Sequence, residues 1–222
     1  GAADRLLVSA RTAGNLEDSA GLSVFLVDPK ADGVALRSYR TLDGLSAADL
    51  SFGNVRLGAD ALIGGEGKAW PAIAYAIDAT LAALCAEAVG AMQELNRLTA
   101  DYIRTRKQFG QPLAVFQALR HRYSEMLVQA EQANSMAILA TLSLGAADPA
   151  ERSRNVAAAK SFIGRAAKKV SQEAVQMHGG MGTTDEMAAS HYFRRLTALE
   201  LTMGGSDTHR ERFVAASGSY RA

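Results

Sequence analysis

The sequence is poor in residues that crosslink or interrupt a chain, with one cysteine and four prolines among 222 residues. A single cysteine cannot form an intramolecular disulfide, and no metal site can be built from cysteine alone. We therefore expect a reducing compartment, the cytoplasm, and no metal. Cys85 stands between Leu84 and Ala86 and is interpreted as a small hydrophobic core residue.

An excess of charge of one sign is also missing, since 24 Lys and Arg balance 23 Asp and Glu. Such a balance gives no long-range field that would attract nucleic acid or anionic lipid. There is no uninterrupted apolar run of about 18 residues, the length of a membrane span, and the opening segment lacks the features of a signal peptide. We expect a soluble globular protein with neither nucleic acid nor membrane as a partner.

The first 64 residues contain short β-rich segments at 6–10, 22–27, 34–39 and 50–55. Asp-Gly and Gly-Asn pairs separate these segments and are typical of turns. Four antiparallel strands form a marginal unit by themselves. We expect residues 1–64 to be a partial antiparallel β-unit that begins within a domain.

After the glycine-rich segment 64–67, the hydrophobic period changes from 2 to 3.6 residues. The pattern predicts long helices over 73–102, over 116–145 and from Asp148-Pro149 to Gly179, with shorter helices near 185–199 and 206–216. Long helices with alanine-rich faces and short loops are typical of a helical bundle. The predicted fold is mainly α, an up-down helical bundle over 65–222 preceded by the partial β-domain.

Three clusters interrupt the helical pattern, at 104–112, 176–182 and 201–208. The first is basic and is followed by a glycine and a proline, as at many helix ends. The second contains consecutive glycines, whose backbone can approach a phosphate closely but which also commonly end a helix. The third is a glycine turn before the last helix. Each cluster alone is compatible with a simple helix end or turn.

Together, and in this order, the clusters resemble the acyl-CoA dehydrogenase family. The matching residues are Arg106-Lys107-Gln108-Phe109-Gly110, Phe116-Gln117, Gln176 with Gly179, Gly180 and Gly182, and Phe193-Arg194-Arg195. The resemblance covers the whole chain, as the end of the family's middle β-domain followed by its C-terminal helical domain.

The resemblance implies an FAD flavoprotein of fatty acid metabolism, an oxidoreductase that carries out α,β-dehydrogenation of an acyl-CoA thioester and passes electrons to an electron-transfer flavoprotein. It places Arg106 at the FAD pyrophosphate, where a guanidinium suits phosphate oxygens. It also implies further flavin contacts. These are Phe109, Phe116 and Gln117 against the adenosine, and Gln176, Gly179 and Gly180 around the pyrophosphate of a neighbouring subunit. A shared site of this kind requires an oligomer.

The resemblance also implies substrate contacts, with Asp78 near the CoA pantetheine. The family's catalytic base is a glutamate at one of two places. The first falls here on Met203 or Gly204, and the second on Thr80, followed by Leu81. None of these residues can accept a proton at neutral pH, so the catalytic residue is unknown.

Two hypotheses remain open. In the first, the protein is an active dehydrogenase whose base has moved to Glu87, Glu200 or Asp207. In the second, it is a catalytically silent structural subunit of a heteromeric acyl-CoA dehydrogenase. The expected assembly is accordingly a homo-oligomer or a heterotetramer with a sister subunit.

Overall fold

The structure, a computed structural model, describes residues 3–218. The chain divides into two compact units, Gly1–Ile77 and Asp78–Ala222. This division falls inside the first long helix, and the domain boundary that we predict after residue 64 stays a prediction.

The described part of the first unit contains five strands, β1 (Leu6–Arg11), β2 (Leu22–Val27), β3 (Val34–Arg40), β4 (Ser46–Phe52) and β5 (Leu62–Ile63). Strands β1, β2 and β5 form an antiparallel sheet in the order β1-β2-β5, in which Leu6 pairs with Val27. Strands β3 and β4 form a separate two-stranded ribbon. The antiparallel β-region is thus confirmed as short sheets.

The fourth strand is displaced from the predicted position, because it covers Ser46–Phe52 and not residues 50–55. The displacement follows from the turn between β3 and β4. The Leu45 carbonyl accepts the Thr41 N–H at 2.9 Å, and Gly44 has a φ of 82°. This tight turn starts the pairing at Ser46, and Asn54, with a φ of 53°, follows the end of the strand.

Five α-helices carry most of residues 3–218. They are α1 (Trp70–Thr105), α2 (Gln117–Ser143), α3 (Pro149–His178), α4 (Ala188–Leu201) and α5 (Ser206–Ala216). A short hairpin of β6 (Lys107–Gln108) and β7 (Gln111–Pro112) lies between α1 and α2. The mainly α fold predicted from the sequence is confirmed.

The boundaries of α3 follow its local sequence. The Asp148 carboxylate accepts the Ala150 N–H at 2.9 Å, and Pro149 occupies the first turn, where its missing N–H costs nothing. The helix ends before Gly179, whose φ is 60°. Helix α4 begins three residues later than predicted, because residues Gly179–Thr183 form a 3₁₀ turn and the Asp185 carbonyl bonds to the His191 ring.

The core of the helical unit is built from large apolar residues separated by alanines. The fully buried large apolar side chains of its helices are Leu81, Met92, Leu95, Met126, Val156, Ile163, Val170 and Leu196. Among the helices of residues 3–218, α1 alone has the length and mean hydropathy (1.6) of a membrane span. Three of the fully buried residues are on α1, as expected of a core helix.

Candidate functional site

The basic cluster after α1 forms a hairpin. The Tyr102 carbonyl accepts the Arg106 N–H at 2.8 Å, and the Arg106 carbonyl accepts the Leu113 N–H at 2.9 Å. Phe109 and Gly110 form the two-residue turn, with φ values of 53° and 79°. Two successive positive φ values are typical of the type I′ turn that suits a tight hairpin. Gly110 therefore makes this turn and does not cap α1, which ends at Thr105.

The hairpin exposes the side chains that the resemblance assigns to FAD. Phe109 is 91% exposed at the tip, and its ring meets that of Phe116 edge-on, with centroids 6.1 Å apart. Arg106, which precedes Phe109 in the sequence, and Gln117, which follows Phe116, are both exposed. An accessible guanidinium fits phosphate oxygens, and an open aromatic face fits a planar heterocycle. These residues fit the phosphate and adenosine parts of the cofactor.

The three glycines after α3 differ in what their positions require. Gly179 has a φ of 60°, which other residues adopt with strain. A Cβ on Gly182 would lie 2.7 Å from the Val175 carbonyl oxygen, so packing excludes a side chain there. Gly180 has no positive φ, and a Cβ added to it would meet no atom within 4 Å among the described residues other than its two chain neighbours. The exposed backbone at Gly180 leaves room for a ligand to approach, and Gln176 is exposed about one turn earlier.

Tyr102 connects the hairpin to the glycine turn. Its ring stacks on the His178 ring, with centroids 4.4 Å apart, and its hydroxyl donates to the His178 carbonyl at 3.1 Å. His178 is buried, and its Nδ1 donates to the Ala174 carbonyl at 2.8 Å. The sequence pattern placed Tyr102 at the end of a hydrophobic face and did not indicate this link.

The turn between α4 and α5 is strained and firmly held. Met203 and Gly204 have φ values of 59° and 100°. The Met203 carbonyl accepts the His209 Nε2–H at 3.0 Å. The buried Lys160 ammonium donates to the Leu199 and Glu200 carbonyls at the end of α4. Burial lowers the pKa of Lys160 and that of His209. The turn presents a methionine side chain, 43% exposed, at the place where the resemblance expects a base.

The three carboxylates considered as relocated bases are all engaged. Glu87 forms a two-point ion pair with Arg195, at 2.6 and 2.8 Å. The Glu200 Oε1 accepts from the Ser206 N–H at 2.9 Å and from its hydroxyl at 3.0 Å, which caps α5. Asp207 is 81% exposed and lies 3.3 Å from Arg210. None of them is a dry, unpaired carboxylate of the kind that suits proton abstraction from carbon.

Asp78 is fully buried and joins three helices. One carboxylate oxygen accepts from Arg152 Nε at 3.0 Å, and the other accepts from Arg212 Nη2 at 2.7 Å. The same Arg212 nitrogen also donates to the Ser153 hydroxyl at 2.6 Å. Asp78 thus has a structural role in linking α1, α3 and α5, and its predicted contact with the substrate stays a prediction.

At the alternative position for a base, the structure offers no carboxylate either. Thr80 is exposed on α1, and Leu81 is fully buried in the core. Cys85, one turn further on, is buried, and burial raises the pKa of its thiol to about 11. The interpretation of Cys85 as a core residue agrees with this environment.

Comparisons with known proteins relate this chain to one family. A sequence model described as "Acyl-CoA dehydrogenase, C-terminal domain" matches residues 67–217. The chain is 28% identical over 208 residues to the probable acyl-CoA dehydrogenase YngJ of Bacillus subtilis, covering 92% of this chain and 54% of that protein. It is 28% identical to the bovine mitochondrial short-chain specific acyl-CoA dehydrogenase over 211 residues, which cover 94% of this chain and 50% of the relative.

Among solved structures, the chain is similar to the ChsE4-ChsE5 complex of Mycobacterium tuberculosis, with a TM-score of 0.83 and 26% identity, covering 99% of this chain and 57% of that one. The chain spans about half the length of the curated relatives above. Two-thirds of the chain matches the C-terminal domain of one family. The chain therefore belongs to the acyl-CoA dehydrogenase family.

Proposed function

We propose that the protein takes part in FAD-dependent α,β-dehydrogenation of an acyl-CoA thioester, and that this chain supplies flavin contacts and an assembly surface without a catalytic base. The observation that carries the proposal is the turn at Met203 and Gly204, which is held in place by Lys160 and His209 but presents no proton acceptor. Members of the family generally use FAD. Bound FAD would supply the hydride acceptor for the β-hydrogen of the acyl group.

The part of this chain in flavin binding is electrostatic and steric. The exposed Arg106 guanidinium would hold a phosphate, and Phe109 with Phe116 would pack against the adenine. The open backbone at Gly180 would admit a pyrophosphate, because, its two chain neighbours apart, no described atom lies within 4 Å of where its Cβ would be. These contacts need no acid in the chain, so flavin binding and the absence of a base are compatible.

The loss of Arg106 tests the flavin part of the proposal. In the protein expressed from its unmodified gene, Arg106→Ala should weaken FAD binding by about 1.5–3 kcal/mol, the value of a charge-assisted hydrogen bond. Lys107→Ala is the matched control, because it removes a neighbouring exposed cation from the same hairpin. FAD titration monitored by flavin fluorescence gives the dissociation constants. Equal affinities for the two variants would contradict the assignment of Arg106.

The catalytic part is tested at the turn itself. Unmodified protein, purified without a sister subunit, should not turn over a panel of acyl-CoAs. Met203→Glu should create turnover, since a positioned base contributes about 10²–10⁴-fold. Met203→Gln is the control, because glutamine has nearly the same size and backbone cost but cannot take the proton. Activity in both variants would contradict the proposal. Inactivity of both the Met203→Glu variant and a complex reconstituted with a sister subunit would also contradict it.

A self-sufficient dehydrogenase is the second candidate. Asp207 is its candidate base, because this carboxylate is in the first turn of α5, four residues after Met203. In that case the unmodified protein alone should be active, and Asp207→Asn should abolish kcat. The same assay without a sister subunit therefore separates the two candidates.

The assembly surface is on the helical unit. A groove of about 370 Å³ between α1 and α2 is lined mainly by apolar residues, among them Val89, Ala137 and Ile138. Ile138 and Leu142 are also exposed. We expect a homo-oligomer or a heterotetramer with a sister subunit that buries this face, with an electron-transfer flavoprotein as the electron acceptor in the cytoplasm. Sedimentation velocity tests the assembly, and a monomer at high micromolar concentration would contradict it.

A further inference from the structure

We propose that Tyr102 is a positioning residue for the flavin site: it holds the glycine turn after α3 in a fixed place relative to the hairpin that carries Arg106. The inference rests on the proposed function, since the importance of the two segments lies in their contacts with flavin. It goes further by assigning a positioning role to a residue that is not among the proposed flavin contacts.

Tyr102 is the common point of two short connections. Its carbonyl accepts the Arg106 N–H at 2.8 Å, which sets the start of the hairpin. Its hydroxyl donates to the His178 carbonyl at 3.1 Å, directly before Gly179. The segments around Arg106 and Gly179 are far apart in sequence, and one residue ties the first to the second, through its backbone carbonyl and its side-chain hydroxyl.

The hydroxyl acts on the peptide group that begins the turn. The His178 carbonyl and the Gly179 N–H belong to one planar peptide unit, so fixing the oxygen also fixes the direction of the N–H. That N–H donates to the Gln176 carbonyl. The carbonyls in the last turn of a helix lack partners within that helix, and here the Tyr102 hydroxyl donates to one of them. Both polar groups of the peptide unit that begins the glycine turn are therefore held by hydrogen bonds.

Contacts of neighbouring residues also restrict the two ends of the glycine turn. The His178 ring is buried between its bond to the Ala174 carbonyl and the Tyr102 ring. Gly182 is packed against the Val175 backbone, which closes the far end of the turn. Gly180 lies between these two fixed points and is open to solvent. Loss of the Tyr102 hydroxyl should loosen the open stretch and leave the helices in place.

The test removes the hydroxyl and keeps the ring, with Tyr102→Phe. Tyr123→Phe is the matched control: Tyr123 is a half-buried tyrosine of the same unit, and its hydroxyl has no hydrogen-bond partner among residues 3–218. Hydrogen exchange of a peptide covering 179–184 is measured without flavin. FAD affinity is measured separately in the protein expressed from its unmodified gene. Tyr102→Leu, which also removes the stacked ring, provides a stronger perturbation of the same link.

Tyr102→Phe should accelerate exchange in 179–184 and raise the Kd for FAD about threefold to tenfold, as expected for one lost hydrogen bond. Exchange in the α2 peptides and the thermal unfolding midpoint should change little, and Tyr123→Phe should alter neither readout. Faster exchange with unchanged FAD affinity, or weaker FAD binding with unchanged exchange, would overturn the proposal. A wild-type protein that binds no FAD would overturn the proposed function together with this role, whereas flavin-binding wild type and an unaffected Tyr102→Phe would overturn this role alone.

Discussion

The buried ion cluster at Asp78 allows a quantitative prediction for the stability of the helical unit. Asp78→Asn keeps the shape of the side chain and removes its charge. Arg152, which is itself buried, and Arg212 then lose the carboxylate that they share. Breaking a buried ion pair by removing one partner typically costs about 3–5 kcal/mol, because the remaining buried charge loses its opposite charge.

Urea unfolding followed by far-UV circular dichroism measures this loss. With a urea dependence of about 1–3 kcal/mol per molar, the transition midpoint should fall by more than about 1 M. Glu94→Gln is the control, because it removes a carboxylate from the same helix whose partner, Arg97, lies at the surface. Surface ion pairs contribute little to stability, so this control should unfold almost as wild type does.

A double variant tests whether the lost stability comes from the buried charge of Arg152. Adding Arg152→Met to Asp78→Asn removes the more deeply buried guanidinium and should recover part of the lost stability, because apolar replacements of buried charges are often well tolerated. If Asp78→Asn costs no more than Glu94→Gln, or if the double variant is less stable than the single one, the reasoning from burial is wrong.

Three further predictions concern other parts of the helical unit. Gly182→Ala should destabilise the protein, because its Cβ would lie 2.7 Å from a backbone oxygen, whereas Gly180→Ala should leave the unfolding midpoint unchanged and weaken only FAD binding. Burial lowers the pKa of His178 and His209 below 6.5, so the unfolded chain binds more protons as the pH falls through 6.5, and urea unfolding at pH 7 and pH 5 should show lower stability at pH 5. The Cys85 thiol, with a pKa of about 11, should react with Ellman's reagent only after unfolding.

The helices could be predicted from the sequence because each has a local signal. The 3.6-residue pattern and the Asp148-Pro149 start located α3, which begins at Pro149 and ends at His178 as expected. The start of α4 could not be located in this way, since the preceding 3₁₀ turn depends on Gly182 packing against α3. The position of β4 similarly depends on its pairing with β3, which begins at Ser46.

The contacts that decide the chemistry of the site join residues that are distant in sequence. Glu87 and Arg195 are 108 residues apart, so their ion pair has no signature in either local segment. The same holds for the link from Tyr102 to His178, which are 76 residues apart. The resemblance named Arg106 and Phe109, and the structure shows both side chains exposed. The bonds that engage Glu87 and Glu200 could be seen only in the structure.

The open strand edges of the first unit determine how the isolated chain will behave in solution. Within residues 3–218, β1 pairs only with β2, and the β3–β4 ribbon pairs with no other strand. Arg37 and Asp49 place charges on the ribbon, whereas β1 has Leu7 71% exposed and no charge before Arg11. An uncharged free edge is a template for intermolecular β-pairing. Aggregation of concentrated samples should therefore start at β1, and Ser9→Lys, which places a charge at an exposed position of this strand, should reduce it.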